Sequence, residues 1–316
     1  ISSSTSVNLG TNTITFNELE QGEYTGKTIT VTDAGGNSTS LSLGTFTIDT
    51  TPPTLSEFTI ISTPNGDNTP EFIINSSKDG TISTSLSAGI ASGNSILTGY
   101  NTIVFNQLSD GEYSNQSVTV VDQAGNSTSL TLTTFTIDTA PPTLSEQTPV
   151  STPTNDSTPN YVFFTNSTGS VTTSISKGIS SGSNISSIGN HTITFNQLDD
   201  GTYTNESISV TDAAGNTNSL TMTTFIIDNT KPTLSSSSTN FSGSQINLTF
   251  NKNLNETAPN KSAFSVTVGG TSKSIDSVSI DDSIVTLNLA SSNHIAEGDS
   301  VVFTYTKPGS NDIKDL

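Results

Sequence analysis

The sequence contains no cysteine, no tryptophan and no arginine, a single methionine and two histidines. Without cysteine there is no disulfide framework of the kind that small secreted animal domains often rely on. No apolar run approaches the roughly 20 residues needed to span a bilayer. His191 and His294 are the only imidazoles, and no motif sets serine, histidine and aspartate together. Catalysis needs a positioned base, nucleophile or metal, so the chain is read as a non-enzyme. His191 falls in GNHTITF, where the other repeats carry Asn12 and Asn101, and reads as an exposed substitution. Positive charge is scarce as well: nine lysines face 28 acidic residues, for a net charge of −19. Such a surface repels nucleic acid and anionic membranes and attracts cations. Neither nucleic-acid binding nor direct membrane insertion is expected of this segment.

Serine, threonine and asparagine fill the space. Apolar residues make up 30 % of the chain and charged residues 12 %, a balance that elsewhere accompanies disorder. Here, however, the apolar residues alternate with polar ones. In residues 101–106, Ile103 and Phe105 share one face; Val118 and Val120 follow, then Leu130, Leu132, Phe135 and Ile137. A period of two, with threonine, valine, isoleucine and phenylalanine dominating, specifies strands with one buried side. Residues 55–61, 71–75, 80–86, 101–106, 117–121 and 129–138 read as strands separated by turn residues.

The chain also repeats itself. Residues 24–55 (YTGKTITVTDAGGNSTSLSLGTFTIDTTPPTL) return at 113–144 and, with drift, at 203–234. Asp33, Asp122 and Asp212 correspond, at separations of 89 and 90 residues. A period of that size is a whole small domain rather than a solenoid turn. About seven strands per period suit an all-β, immunoglobulin-like sandwich, and the repeats suit a linear string of such domains. The expected units are 1–52 (the C-terminal part of a domain), 53–140, 141–230 and 231–316, the last incomplete, as in a window cut from a longer protein. Tyr24, Tyr113 and Tyr203 each precede the penultimate strand, where such sandwiches place a tyrosine whose hydroxyl bonds back to the backbone. Pro52-Pro53, Pro141-Pro142 and Lys231-Pro232 follow the last strand of each unit and predict short, stiff junctions.

Antiparallel order assigns the loops to poles. The last strand of a unit ends at the pole touching the next unit, so the loop before it lies at the pole facing the previous one. Asp49 therefore meets Asp122 and Asn126 at the first junction. Asp138, Asp67 and Asp110 meet Asp212 and Asn216 at the second, and Asp228, Asp156 and Asp200 gather at the third, with Asp312 and Asp315 as the fourth unit's contribution. Two readings of these residues stand. Asp in DxAGN and DG turns can simply supply turn geometry. Alternatively, several carboxylates sharing a crevice without histidine or cysteine are the ligand set of Ca²⁺. Gln21 stands where Asp110 and Asp200 stand, so the first junction is expected to bind such an ion more weakly. None of the nine lysines recurs in register inside a core, as a Lys–Asn isopeptide bond would require. Sequons such as those at Asn37, Asn126 and Asn166 are what chance gives in this composition.

The segments DNTPEF (67–72), DGEY (110–113), VTVVDQAGNSTS (118–129) and FTIDTAPPTL (135–144) resemble the bacterial Ig-like repeats of giant surface adhesins, in three units. That resemblance implies secretion by a type I route, an extracellular position at the bacterial surface and sandwiches stiffened by Ca²⁺ at their junctions. QINLTFNKNLNE (245–256), AFSVTVGG (263–270), IVTLNLA (284–290) and EGDSVVFTYTKPG (297–309) resemble instead the SwmB-type repeat of very long cyanobacterial and marine bacterial surface proteins. The leading expectation is a structural stalk whose partners are its neighbouring domains. The alternatives are a self-assembling surface-layer or filament subunit, with other copies of itself as partners, and a module that binds glycans or a host surface.

Overall fold

A computed structural model describes Ile1, residues 5–292, 294–309 and 312–314; Asp315, one of the expected fourth-unit ligands, lies outside them. The fold is all-β, and a single 3-10 turn, Lys261–Ala263, is its only helical element among the described residues. In the second unit, strand Glu71–Ser76 lies between Leu55–Thr59 and Gly99–Val104 in one antiparallel sheet. Facing it, Ser117–Asp122 lies between Ser127–Thr131 and Gly80–Thr84, with Ser95–Ile96 at the edge. The third unit repeats this arrangement with one further strand, Ile179–Ser181, paired to Gly189–Phe195, and the fourth pairs a four-stranded sheet with a three-stranded one. This is the tandem sandwich architecture expected from the alternation.

The second, third and fourth units each have their own core. Phe72, Ile74, Ile103 and Phe105 of one sheet face Ile82, Ile96, Val118 and Val120 of the other, and Tyr161, Phe163, Ile208 and Val210 take part in the third unit's core. Val285 and Leu287 anchor a further core in the fourth. Full burial of such a side chain contributes about 1.5–3 kcal/mol, which is how a chain with few apolar residues still folds: the inward strand positions of these three units concentrate them in the cores, while others, Phe58 and Tyr100 among them, stay exposed. The outward positions carry hydroxyls that pair across strands. Thr30 and Ser40 (2.8 Å), Thr119 and Ser129 (2.7 Å) and Ser209 and Ser219 (2.8 Å) hydrogen-bond at equivalent places in three units. Cross-strand hydroxyl pairs stabilise an exposed face without making it sticky.

Two expectations are refined. The run 129–138 is not one strand. It breaks at 132–134, where the chain crosses from the Ser117–Asp122 sheet to a short ribbon in which Phe135–Ile137 pairs with Gly111–Tyr113. The crossing leaves backbone donors without a ladder, and the Glu57 carboxylate accepts from Thr133 N (3.2 Å) and Thr133 Oγ1 (2.8 Å). Glu146 serves Thr223 in the same way. In the first unit only two strand pairs form, Gly22–Tyr24 with Phe46–Ile48 and Thr28–Thr32 with Ser38–Ser42. Residues 12–16, the counterpart of strand Gly99–Val104, are not a strand.

The three tyrosines behave as expected. Their hydroxyls donate to the carbonyl four residues earlier: Tyr24 to Glu20 (2.9 Å), Tyr113 to Ser109 (2.8 Å) and Tyr203 to Asp199 (3.0 Å). His191, in contrast, is half-buried, and its Nε2 sits 2.7 Å from the Ser187 carbonyl. Asn101 makes the equivalent bond to Leu97 O at 2.7 Å, so the histidine replaces an asparagine's structural role.

Candidate functional site

The junctions concentrate the charged and polar residues singled out by the sequence. The first and second are built on the same loop. In DQAGN (122–126), Asp122 Oδ1 accepts from Ala124 N (3.0 Å) and Asn126 N (2.9 Å), while Gly125 takes a φ of 90° that an L side chain rarely adopts. Asp212 does the same for Ala214 and Asn216, both at 2.9 Å, with Gly215 at 92°. The loop presents its asparagine to the preceding unit. Asn126 Nδ2 donates to Asp49 O at 3.0 Å, and Asn216 Nδ2 to Asp138 O at 2.7 Å. The linker is fastened beside them, since Thr128 Oγ1 donates to Pro53 O and Asn218 Nδ2 to Pro142 O. The pole assignment made from strand order is therefore correct for Asp49, Asp122, Asn126, Asp138, Asp212 and Asn216.

The opposite pole is arranged as expected too. Asp110 Oδ1 accepts from Thr139 N (3.0 Å) and Thr139 Oγ1 (2.8 Å), and Asp200 accepts from Asn229 N (2.9 Å) and Thr230 Oγ1 (3.1 Å). Both carboxylates thus hold the start of the linker. Asp67 and Asp156 cap their own turns, through Thr69 and Thr158. At the second junction the two units touch directly: Gly66 N donates to Ala214 O at 3.0 Å. A Cβ at position 66 would lie 2.7 Å from that oxygen, so glycine is required by the close approach.

Sequence reading missed the cation already present in two of the crevices. Lys78 Nζ lies 2.7 Å from Asp49 Oδ2 and 2.9 Å from Asp122 Oδ2, and it also donates to Thr51 O at 2.5 Å. It joins the end of the first unit to the loop of the second. The Asp122 side chain is only 3 % exposed. The Lys78 ammonium, helped by the Asn126 amide and opposed by desolvation, lowers the Asp122 carboxyl to about 2. Asp49 is lowered as well, first by Lys78 and then by Thr51. At the third junction Lys252 Nζ lies 2.5 and 2.6 Å from the two oxygens of Asp228 and 2.6 Å from Thr230 O, which lowers the Asp228 carboxyl. Asp312 pairs elsewhere, with Lys307 at 2.8 Å. The signal was available in the lysines' position, two residues past the end of the second strand of the second and fourth units, rather than in any core.

Calcium is tested against this donor set. Among the described residues no three acidic or histidine side chains come together as a metal-holding group. At the first and third junctions the oxygens present fit an ammonium, and a divalent ion would need the lysine to withdraw. At the second junction no lysine is bonded to Asp138 or Asp212 among the described residues.

Two family models cover the chain from residue 65 to residue 310. The family described as Bacterial Ig-like domain matches residues 65–139 and 145–229, together half of the sequence. The chain belongs to the bacterial Ig-like domain family. It does so through two matched units rather than the three expected, because residues 1–52 are not matched even though their strand pairs repeat those of the other units. Residues 227–310 match the SWM repeat family, described as flagellar system-associated. A bacterial Ig-like pair followed by such a repeat is a surface structural or binding module. No curated protein matches the chain. Among solved structures, similarity extends to dimeric latent PorU from Porphyromonas gingivalis, at 9 % identity and a TM-score of 0.23 over 87 % of this chain and 33 % of that one. It extends also to the Bacteroides ovatus SGBP-B in complex with a mixed-linkage heptasaccharide, at 15 % identity and a TM-score of 0.19, over 95 % of this chain and 84 % of that one. The S-layer protein rSbsC gives 12 % identity and a TM-score of 0.16, over 84 % of this chain and 54 % of that one. The chain thus spans a third of the PorU chain, and overlaps this loose carry no functional argument.

Proposed function

We propose that the chain is a stalk segment of a large secreted bacterial surface protein, in which successive sandwiches are held at fixed angles to one another. The observation that carries this reading is the asparagine bond made at two successive junctions, Asn126 to Asp49 O and Asn216 to Asp138 O. A linker whose own backbone is hydrogen-bonded to the next domain has lost the freedom of a flexible tether. In this reading the segment is a non-enzymatic one. Ca²⁺ belongs to it at the middle junction, where Asp138 and Asp212 lack a lysine and their charge favours a hard cation. The test is small-angle scattering of the whole chain in Ca²⁺ and in chelator. An elongated particle of constant cross-section supports the stalk; a compact profile with domains folded back on each other refutes it.

A second reading, recognition of a glycan or host surface, is favoured by one feature. Phe58 and Tyr100 are 60 % and 67 % exposed, with ring centroids 4.5 Å apart, on the outer face of the second unit's sheet. Gln147 and Asn190 occupy those places in the third unit. An exposed aromatic pair of this kind marks a contact surface. A glycan array comparing the chain with its F58S/Y100S variant tests it, and identical profiles for the two would rule the patch out.

A further inference from the structure

The three junctions share one backbone contact and differ in the residue that follows its acceptor. At each, the first residue of the new unit after the prolines, or after Lys231-Pro232, donates its N–H to a side chain just past that unit's second strand. Thr54 N donates to Ser77 Oγ (2.8 Å), Thr143 N to Asn166 Oδ1 (2.7 Å) and Thr233 N to Asn251 Oδ1 (2.7 Å). These bonds align the three junctions independently of sequence similarity. The next residue is Lys78 in the first, Ser167 in the second and Lys252 in the third. Lys78 and Lys252 then make the same pair of contacts with the outgoing strand of the previous unit. Each ammonium binds the strand-end aspartate, Asp49 or Asp228, and the carbonyl two residues further on, that of Thr51 or Thr230. The two lysines stand in domains of different families, so the coincidence is one of position at a junction and not of one repeated motif.

We propose that Lys78 and Lys252 take the place of a metal ion, each acting as a built-in cation that clasps its junction, so that the first and third junctions are stiff without calcium. The ammonium is held by carboxylate, carbonyl and hydroxyl oxygens, the donor type a hard divalent ion takes. Its carboxylate and carbonyl contacts of 2.5–2.9 Å are only a little longer than the about 2.3–2.6 Å of calcium–oxygen bonds. Both cannot occupy the crevice, because they would compete for the same oxygens and repel each other. The clasp is also tethered, so its local concentration does not depend on the medium. An ordinary surface ion pair is two mobile side chains meeting in water. Lys78 instead bridges two domains and reaches an Asp122 side chain that is 3 % exposed and already fixed by its own turn. The middle junction has Ser167 in that place and is left as the one of the three on which a dissolved cation can act.

This inference rests on the stalk reading for its purpose, and the experiment separates the two. Pairs of spin labels spanning each junction of the whole chain report its distance distribution, in Ca²⁺ and in chelator. The variants are K78S, which installs the middle junction's residue, K252S, and S167K, which installs a clasp at the middle junction. Amide exchange in the cores serves as the folding control. The expected result is a narrow distribution at the first and third junctions in both media. K78S broadens the first in chelator while leaving the third unchanged, and K252S does the converse. S167K narrows the middle junction in chelator and abolishes its Ca²⁺ response. A wild-type first junction that is broad in chelator and narrows with Ca²⁺ overturns the clasp, as does a K78S junction as narrow as wild type. In the latter case the stalk survives and the lysine does not matter. Narrow lysine-dependent outer junctions beside a middle junction indifferent to Ca²⁺ uphold the clasp and remove calcium from the stalk. Broad distributions at all three junctions in both media reject clasp and stalk together.

Discussion

Replacing Tyr113 by phenylalanine isolates one hydrogen bond at the corner of the second sandwich. The Tyr113 ring stacks on Phe135, its register partner across the short ribbon, with centroids 5.2 Å apart and planes 12° from parallel. The hydroxyl donates to Ser109 O at 2.8 Å. Phenylalanine keeps the ring and its stack and deletes only that bond. A typical bond of this kind contributes about 0.5–1.5 kcal/mol. Because Tyr113 is half-buried and water can reach the freed carbonyl, the lower part of that range applies, about 0.5–1 kcal/mol. Alanine deletes the ring as well. Full burial would cost about 3–5 kcal/mol, and half-burial brings this to about 2–3 kcal/mol.

Amide exchange of the strand Phe135–Ile137 in the intact chain is the assay, with Phe225–Ile227 of the third unit as the internal reference. The phenylalanine variant should exchange roughly two- to fivefold faster through global opening of its unit, and the alanine variant roughly 30- to 150-fold faster. The reference strand should be unchanged in both. A phenylalanine variant as impaired as the alanine one would show that the ring's environment, not the hydroxyl, had been misread. A variant that keeps full stability but loses affinity for a glycan would refute the structural assignment of the tyrosine outright.

Two further outcomes follow from the junction geometry. Gly66→Ala places a methyl 2.7 Å from Ala214 O and 3.0 Å from Asn216 Oδ1, so it should raise exchange at the amide of residue 66 while leaving both adjoining cores protected; unchanged protection there would mean the contact is not made in solution. The Asp122 carboxyl is depressed from its ordinary 3.8 to about 2, so its contribution is complete above pH 4 and is lost as pH falls through 2; acid titration should release the first junction in that window, and in K78S at higher pH, whereas identical midpoints would deny the Lys78–Asp122 coupling.

Much of the architecture was legible because two simple rules carry it. A period of two with β-branched and aromatic residues identified the strands, and antiparallel order placed Asp122 and Asn126 opposite Asp49 before any coordinates. The break at 132–134 was missed in reading 129–138 as one strand, although the step from Leu132 to Phe135 is three residues and interrupts the alternation. What alternation cannot express is the partner of a backbone donor off the ladder, which is why Glu57 and Glu146 passed as ordinary surface acids. The lysines were hidden for a different reason. A repeated lysine was sought in the cores and among like repeats, while Lys78 and Lys252 recur at a junction and in unlike domains. Their equivalence lies in the bonds from Thr54 and Thr233, and side-chain hydrogen bonds do not show in a residue pattern.

The charge balance and the junctions form one device. A net charge of −19 spread over polar faces keeps neighbouring chains apart, because like-charged rods repel at distances up to about a Debye length, ~8 Å at physiological ionic strength. That same charge works against stacking the domains of one chain end to end, and most strongly at the poles, where the turn aspartates gather. Repulsion between chains and cohesion along the chain therefore have to be separated in space. Cations fixed at the poles do this: Lys78 and Lys252 pair with carboxylates within 3 Å at the junctions themselves. At the middle junction, where Ser167 stands, neutral contacts, Gly66 to Ala214 and Asn216 to Asp138, join the units, and the proposed Ca²⁺ would add to them. A repeat protein built this way can exchange one junction residue without disturbing any core, which is how three closely similar frames come to hold Lys, Ser and Lys.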